Sequence, residues 1–372
     1  MDWSRFLSDR CEAVEFSGIR KVFDLASRLK DPIDLSIGQP DYDAPDELKD
    51  AAIRAIRAGR NRYTPTAGLP ELREALAARL RKQYDWGPAV LITSGVSGGL
   101  LLTLLATVGP GDEVVFADPY FVSYVQLVRM MGGTPVAVSS YPDFRFPAAA
   151  IERAITPRTR LLLINSPANP TGRVMTPDEA RTAAEIARRH DLLLVCDEIY
   201  DALSYDAPSP CPVVHAPERT VLLRGFGKTY GVTGWRMGYV AAPPPLVDEM
   251  IKMQQYTFVC APSPAQYALA ASLDVDVSQH HRDYARKRDT AVRLLEPAFE
   301  IVRPSGGFYV FPKAPAAFAD ASDFCEAAAA REVLVIPGSV FSAQNTHFRI
   351  SYATSDENLR RGCQILCEVA RR

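Results

Sequence analysis

The 372-residue chain has no long apolar run; its longest, such as residues 100–108, are too short and too polar to span a bilayer. Its first residues, Met1-Asp2-Trp3-Ser4-Arg5, lack the basic segment and apolar stretch of a signal peptide. The seven cysteines form no CxxC pair and no His/Cys cluster, which excludes a disulfide framework and a zinc site, and an odd number of scattered thiols points to a reducing, cytoplasmic setting. The five histidines show no metal-ligand spacing, so no metal is expected, and His280-His281 falls in a polar helical stretch where both rings should be solvated. Neither sign of charge dominates. With 42 basic against 44 acidic residues and no basic stripe, neither nucleic acid nor a membrane is an expected partner. The GxGxxG and GxxxxGK[ST] fingerprints of nucleotide sites are also absent.

What is present is an ordinary globular balance, 47% hydrophobic and 23% charged, in a chain long enough for two domains. Residues 46–58, 69–82, 98–108 and 121–131 read as helices. Residues 114–117, 134–138, 161–164, 192–196, 221–223 and 237–241 read as short buried strands. Thr176-Pro177-Asp178-Glu179 is a capping box with proline at the first helical position, opening a helix to His190. This alternation predicts an α/β fold with a mostly parallel sheet between layers of helices. From about residue 270 the pattern changes to a charged helix over 283–295, hairpin-like strands around Ser305-Gly306-Gly307-Phe308-Tyr309 and a last helix from Asp356, a smaller α+β unit.

Val221-Leu222-Leu223 leads into Gly225-Phe226-Gly227-Lys228-Thr229-Tyr230-Gly231, with Arg236 eight residues after the lysine. A lysine amine forms a Schiff base with a carbonyl compound, and an arginine fork clamps a phosphate. Pyridoxal phosphate (PLP) carries both groups, so the pairing suggests that cofactor; a surface lysine in a loop is the alternative. Asp197 follows the apolar run 192–196 and so falls at a strand's carboxyl end, where ligands of open α/β sheets bind. A carboxylate there either keeps a pyridine nitrogen protonated or caps the next helix. Tyr200, one helical turn on, is a donor to the cofactor's phenolic oxygen or a core residue. Asn169, held extended before Pro170 in the loop from Asn165 to Gly172, offers its amide to the same oxygen or belongs to a plain turn.

Ser94-Gly95-Val96-Ser97-Gly98-Gly99 precedes an apolar helix, and glycines at a helix start let backbone N–H groups approach a phosphate. Phe121, after Asp118-Pro119-Tyr120, is a ring-stacking candidate or core. In His347-Phe348-Arg349-Ile350-Ser351-Tyr352, alternation sets Arg349 and Ser351 opposite the other face. Arg349 is either an exposed edge residue or an internal charge whose planar fork suits a carboxylate.

Together these segments resemble the class I/II aminotransferase family, PLP enzymes of fold type I like aspartate aminotransferase. The likeness runs from Ile33-Asp34-Leu35-Ser36-Ile37-Gly38-Gln39-Pro40-Asp41 to Phe348-Arg349-Ile350-Ser351. It is most specific at Asn169-Pro170-Thr171-Gly172, Asp197-Glu198-Ile199-Tyr200 and Lys228-Thr229-Tyr230-Gly231 through Gly234-Trp235-Arg236. The resemblance implies an amino-acid:2-oxo-acid aminotransferase with ping-pong half-reactions and an internal aldimine on Lys228. It implies a large PLP-binding domain over 38–268 and a small domain over 269–372 joined by the N-terminal segment 1–37.

By position, Asp197 pairs with the pyridine nitrogen, Phe121 stacks on the ring, and Asn169 and Tyr200 hold the phenolic oxygen. Arg236, Ser97 and the amides of Gly98 and Gly99 bind the phosphate. Tyr63 reaches the phosphate of a partner subunit, which implies a homodimer. Arg349 binds the substrate α-carboxylate, with Gly38 and Asn169 lining that end. One departure stands out: the family's Ser-x-Ser-Lys is Gly225-Phe226-Gly227-Lys228 here, two hydroxyls short. A β-lyase, decarboxylase or synthase on the same scaffold would use the same residues. A PLP-binding regulator would carry a DNA-binding domain first, and a likeness that begins near residue 33 leaves no room for one.

Overall fold

The computed structural model describes residues 1, 3–16, 18 and 31–371; the rest of the expected 1–37 segment lies outside the described residues. After a two-residue strand, β1 (Ile33–Asp34), come β2 (Ala89–Ser94), β3 (Glu113–Asp118), β4 (Thr134–Ser139) and β5 (Thr159–Asn165). Next are β6 (Leu193–Asp197), β7 (Thr220–Gly225) and β8 (Met237–Ala242). Strands β2 to β8 form one sheet in the order β2-β8-β7-β6-β5-β3-β4. Its neighbours run parallel except at β8, which is antiparallel to both β2 and β7.

Alternation along each strand explains why both faces are covered. Ile92, Val115, Leu162, Leu194 and Leu222 turn into one apolar cluster. Their neighbours Leu91, Val114, Leu161, Val195 and Val221 turn into another on the opposite face. The helices Pro70–Tyr84 and Pro177–Arg189 cover the first face through Leu76, Leu80, Ala183 and Ala187. The helices Gly95–Thr107, Ser123–Met130 and Pro244–Gln255 cover the second through Leu100, Leu104, Val128 and Met250. Each fully buried leucine or valine of these faces stabilises the fold by about 1.5–3 kcal/mol. The expected capping box is formed: Thr176 Oγ1 accepts from the Glu179 N–H at 3.2 Å, and Glu179 Oε2 from the Thr176 N–H at 2.7 Å.

The topology puts Ser94, Asp118, Asn165, Asp197 and Gly225 at one edge of the sheet, where β8 begins at Met237. Loops from these ends meet the C-terminal region, built on β9 (Tyr309–Val310), β10 (Val333–Leu334), β11 (Ile336–Pro337) and β12 (Phe348–Ser351). There β12 is the middle strand of the antiparallel order β11-β12-β9, and β1 pairs with β10. A third cluster joins Leu35 to Tyr284, Phe308, Phe324 and Phe348.

Several expectations are corrected. The helix after β2 begins at Gly95 rather than residue 98, because Gly95 takes φ +69° and turns the chain directly off the strand. The helix expected from Phe121 starts at Ser123, and the one expected at 283 starts at Ser278. Residues 305–309 make no hairpin: the Ser305 and Gly306 N–H groups both donate to the Gly172 carbonyl at 2.9 Å, and Tyr309 pairs with Ser351. His280 and His281 are half-buried, not solvated, and the His280 ring lies flat on Tyr42 with centroids 3.9 Å apart. Strand β2 and the helices Pro244–Gln255 and Ser263–Ser272 were not anticipated. Among the described residues no helix is long and apolar enough to cross a membrane.

Candidate active site

At the carboxyl edge of the sheet lies a cavity of about 430 Å³. Gly38, Ser97, Phe121, Asn169, Asp197, Tyr200, Lys228, Arg236 and Arg349 all line it; Gly98, Gly99 and Tyr63 do not. Asn169 and Arg349, 180 positions apart in sequence, meet here because the loop after β5 and the strand β12 of the C-terminal region face each other across the cavity.

Asp197 ends β6 and is buried. Its Oδ2 accepts from the Tyr124 hydroxyl at 2.6 Å, and its Oδ1 from the Ile199 N–H at 3.2 Å. Burial pushes its pKa up to about 6, against the downward pull of those two bonds. A carboxylate so desolvated gains most from a cationic N–H partner. Asn165 ties the neighbouring strand end in place, donating from Nδ2 to the Asp197 carbonyl at 2.9 Å and accepting the Asn169 N–H at 2.8 Å.

Lys228 follows β7 through a glycine-rich turn, and its ammonium donates to the Gly38 carbonyl. Burial, then the positive charges of Arg349 and Arg236, lower its pKa to about 8. An amine held there has a neutral, nucleophilic fraction near neutral pH.

Arg349 sits in the central strand β12 and is 1% exposed, which removes the edge-residue reading. One terminal nitrogen donates to Asn169 Oδ1 at 3.0 Å and the other to the Ser36 carbonyl at 2.7 Å. The guanidinium carbon stands 4.4 Å from the Tyr309 ring centroid and 4.7 Å from that of Phe341. Its Nε is buried with no hydrogen-bond partner in the structure. The Tyr309 hydroxyl lies 3.1 Å from that of Tyr200, whose pKa burial raises far above the ordinary phenol value, so it stays a proton donor. Gly38 is needed at this end, since a Cβ would come within 2.9 Å of the Tyr309 hydroxyl.

The opposite end is built by Gly95, Val96, Ser97 and Arg236. A Cβ on Gly95 would lie 2.9 Å from an Arg236 terminal nitrogen, so the glycine lets backbone and guanidinium converge. Gly98 and Gly99, expected here, lie further into the helix; a Cβ on Gly99 would strike Val240 at 2.9 Å. Tyr63 stands 81% exposed. The missing serine at Gly225 has a steric reason: a Cβ there would meet Ile199 Cδ1 at 2.7 Å and Val96 Cγ2 at 2.9 Å. Those two side chains fill the space a hydroxymethyl would need.

This donor set fits PLP. It offers a buried amine for the aldehyde, a buried carboxylate for the ring N–H, an arginine beside close-packed backbone for a phosphate, and an unpartnered guanidinium Nε. Sequence reasoning missed Tyr124 and Tyr309. Tyr124 lies three residues beyond Phe121, in the first turn of the helix Ser123–Met130, with the two rings edge to face at 5.6 Å, and that spacing was its available signal. Among the described residues, no group of three or more His, Cys, Asp or Glu side chains could hold a metal ion.

The family model for class I and II aminotransferases matches residues 30–366. The chain is 37% identical to an aspartate aminotransferase of Pyrococcus abyssi, covering 98% of each chain. It is 38% identical to an aromatic-amino-acid aminotransferase of Thermococcus litoralis, covering 95% of each. The solved structure of Thermus thermophilus aspartate aminotransferase with maleate superposes with a TM-score of 0.93 at 36% identity, over 98% of this chain and 99% of that one.

Proposed function

The chain belongs to the class I and II aminotransferase family, and we propose that Lys228, Asp197 and Arg349 are the three groups through which it works. It is a PLP-dependent aminotransferase, moving an amino group from an amino acid to a 2-oxo acid in paired half-reactions. The observation that carries the residue roles is the convergence of one buried amine, one buried carboxylate and one buried guanidinium on a single cavity.

When bound, PLP supplies an aldehyde that attaches amines and a ring that accepts electron density. Lys228 Nζ is the attachment point and the base that takes the proton from the substrate's α-carbon. Asp197 Oδ2, oriented by Tyr124, holds a proton on the ring nitrogen. Tyr200 and Asn169 donate to the phenolic oxygen, and Phe121 supports the ring. Arg349, fixed by Asn169 and Ser36, takes the α-carboxylate common to every substrate. Arg236, Ser97 and the N–H groups at the start of the helix Gly95–Thr107 hold the phosphate.

Two copies are proposed to form the working enzyme, with Tyr63 of each reaching the phosphate end of the other. The exposed Tyr63, Tyr256, Phe258, Ile53 and Ile56 support this, as apolar surface suited to a second copy. Division into domains at 38–268 and 269–372, with the N-terminal segment joining the latter, is supported by the β1–β10 pairing and by Leu35 in the C-terminal core. A cytoplasmic setting is supported by seven free cysteines.

The relatives' names make aspartate and the aromatic amino acids the first donors to test. Purified protein with PLP, each amino acid and 2-oxoglutarate should yield glutamate and the matching 2-oxo acid. Release of ammonia and pyruvate without glutamate would overturn the reading.

A further inference from the structure

Residues 36–42 run as a strap between the C-terminal region and the lysine turn. The Ser36 carbonyl accepts from Arg349 at 2.7 Å, and the Gly38 carbonyl accepts from Lys228. One strap therefore touches both the carboxylate-binding arginine and the attachment lysine. Its far end is anchored on the helix Ser278–Leu295. The Asp41 N–H donates to the Tyr284 oxygen at 3.1 Å, while the Tyr284 hydroxyl donates to Asp41 Oδ1 at 2.8 Å. Lys287 donates to Asp41 Oδ2, and also to the Thr354 carbonyl at 2.6 Å.

Tyr42 completes the link. Its ring lies on His280 of the same helix, 3.9 Å between centroids and 4° from parallel. Its hydroxyl lies 2.8 Å from the Lys228 carbonyl and 3.0 Å from that of Thr229, one proton shared between two acceptors. Burial raises the pKa of this phenol, which keeps it in the donating form. Gly231 allows the close approach: at φ +70°, a Cβ there would come within 2.7 Å of the Tyr42 carbonyl oxygen.

We infer that Tyr42 is a positioning residue for Lys228, clamping the lysine's own carbonyl to a helix of the C-terminal region and so setting where the amine stands relative to Arg349. The inference rests on the reading of Lys228 as the PLP-attachment lysine. Nucleophilic attachment depends on orientation, and a side chain swings from its α-carbon. Without the hydroxyl, the two carbonyls lose their shared donor and the turn loses its tie to the strap.

The test uses the full chain, stripped of PLP and reloaded. Capture is followed by visible absorbance and fixed with borohydride to identify the modified residue. Tyr42→Phe keeps the ring and its stack on His280 and removes only the hydroxyl. It should capture PLP about fivefold to tenfold more slowly, the scale of one lost hydrogen bond, and lower kcat by a similar factor. The KM for the amino acid and the thermal midpoint should stay at the wild-type values. His280→Ala, which removes the ring's support, should slow capture in the same direction by less. Wild-type capture rates in both variants, or a fall in thermal midpoint with normal capture, would overturn the positioning role. A parallel Lys228→Ala sample separates the two readings: if it still forms a borohydride-fixed adduct, the attachment reading has failed and not merely the role of Tyr42.

Discussion

The two ends of the cavity are built differently. At the carboxylate end, Arg349 is 1% exposed and held by Asn169, Ser36, Tyr309 and Phe341, all from the same chain. At the opposite end, Ser97 and Arg236 are exposed, and the Arg236 guanidinium donates to the Thr233 carbonyl at 3.3 Å. A charge held on several sides in a dry setting is pre-oriented, and its loss leaves partners stranded. A charge facing water is screened and adjustable. One chain thus encloses the Arg349 end and leaves the Arg236 end facing solvent, in keeping with the proposal that a second copy completes the latter.

The largest effect that sharpens this contrast belongs to the buried end. Removing one partner of a desolvated, hydrogen-bonded charge pair costs about 2–5 kcal/mol, or about 30- to 4,000-fold in an equilibrium or rate constant. Arg349→Ala should lower kcat/KM by a factor in that range for every amino acid and every 2-oxo acid alike. Cofactor retention should change little. Steady-state kinetics across several substrates check it; release of PLP with substrate affinity spared would put Arg349 in the wrong end of the site.

Tyr63 probes the open end, and the expected effect is smaller. Tyr63→Phe should weaken PLP retention about tenfold, as for one hydrogen bond to a charged group at an exposed site. A mixing experiment ties the effect to a partner copy. Tyr63→Phe subunits combined with Lys228→Ala subunits should regain wild-type retention at the sites that keep Lys228, since each receives an intact Tyr63 from the other chain. Absence of that recovery on mixing would confine Tyr63 to its own chain.

Legibility in the sequence followed the same division between local and assembled features. Thr176 and Glu179 were readable because a capping box is complete within four residues. Asp197, Lys228 and Asn169 were readable because each stands at or shortly past the carboxyl end of an apolar strand, the edge where ligands of open α/β sheets bind. Tyr42, Tyr124 and Tyr309 were not, because their roles depend on partners far along the chain: Lys228, Asp197 and Arg349. Strand β2 escaped because its sheet partner β8 lies some 150 residues later and pairs antiparallel. His280 looked solvated among charged neighbours, since nothing local announces that Tyr42 lies flat on its ring. The start of the helix after β2 was misplaced by three residues because glycine marks permissive backbone without saying where the helix starts, and Gly95 starts it.

The smallest expected effect weighs the two arginines directly, through the amine between them. Lys228 has its pKa lowered to about 8, first by burial, then by Arg349, then by Arg236. Only the neutral amine attacks an aldehyde, so PLP capture by the apoprotein should accelerate as pH rises through about 8 and level off above it. Removing a nearby positive charge makes protonation easier, so the folded-state pKa rises and the midpoint of the capture profile moves to higher pH. Arg349→Ala should move it more than Arg236→Ala, because a buried charge acts through a poorly screened medium while an exposed one is screened by solvent. Added salt should shrink the Arg236 shift and leave that of Arg349 nearly intact. Capture rates between pH 6.5 and about 9.5 at low and high ionic strength measure all of this. Equal shifts for the two variants with equal salt sensitivity would mean that the ends do not differ electrostatically, and the contrast drawn from their burial would fall.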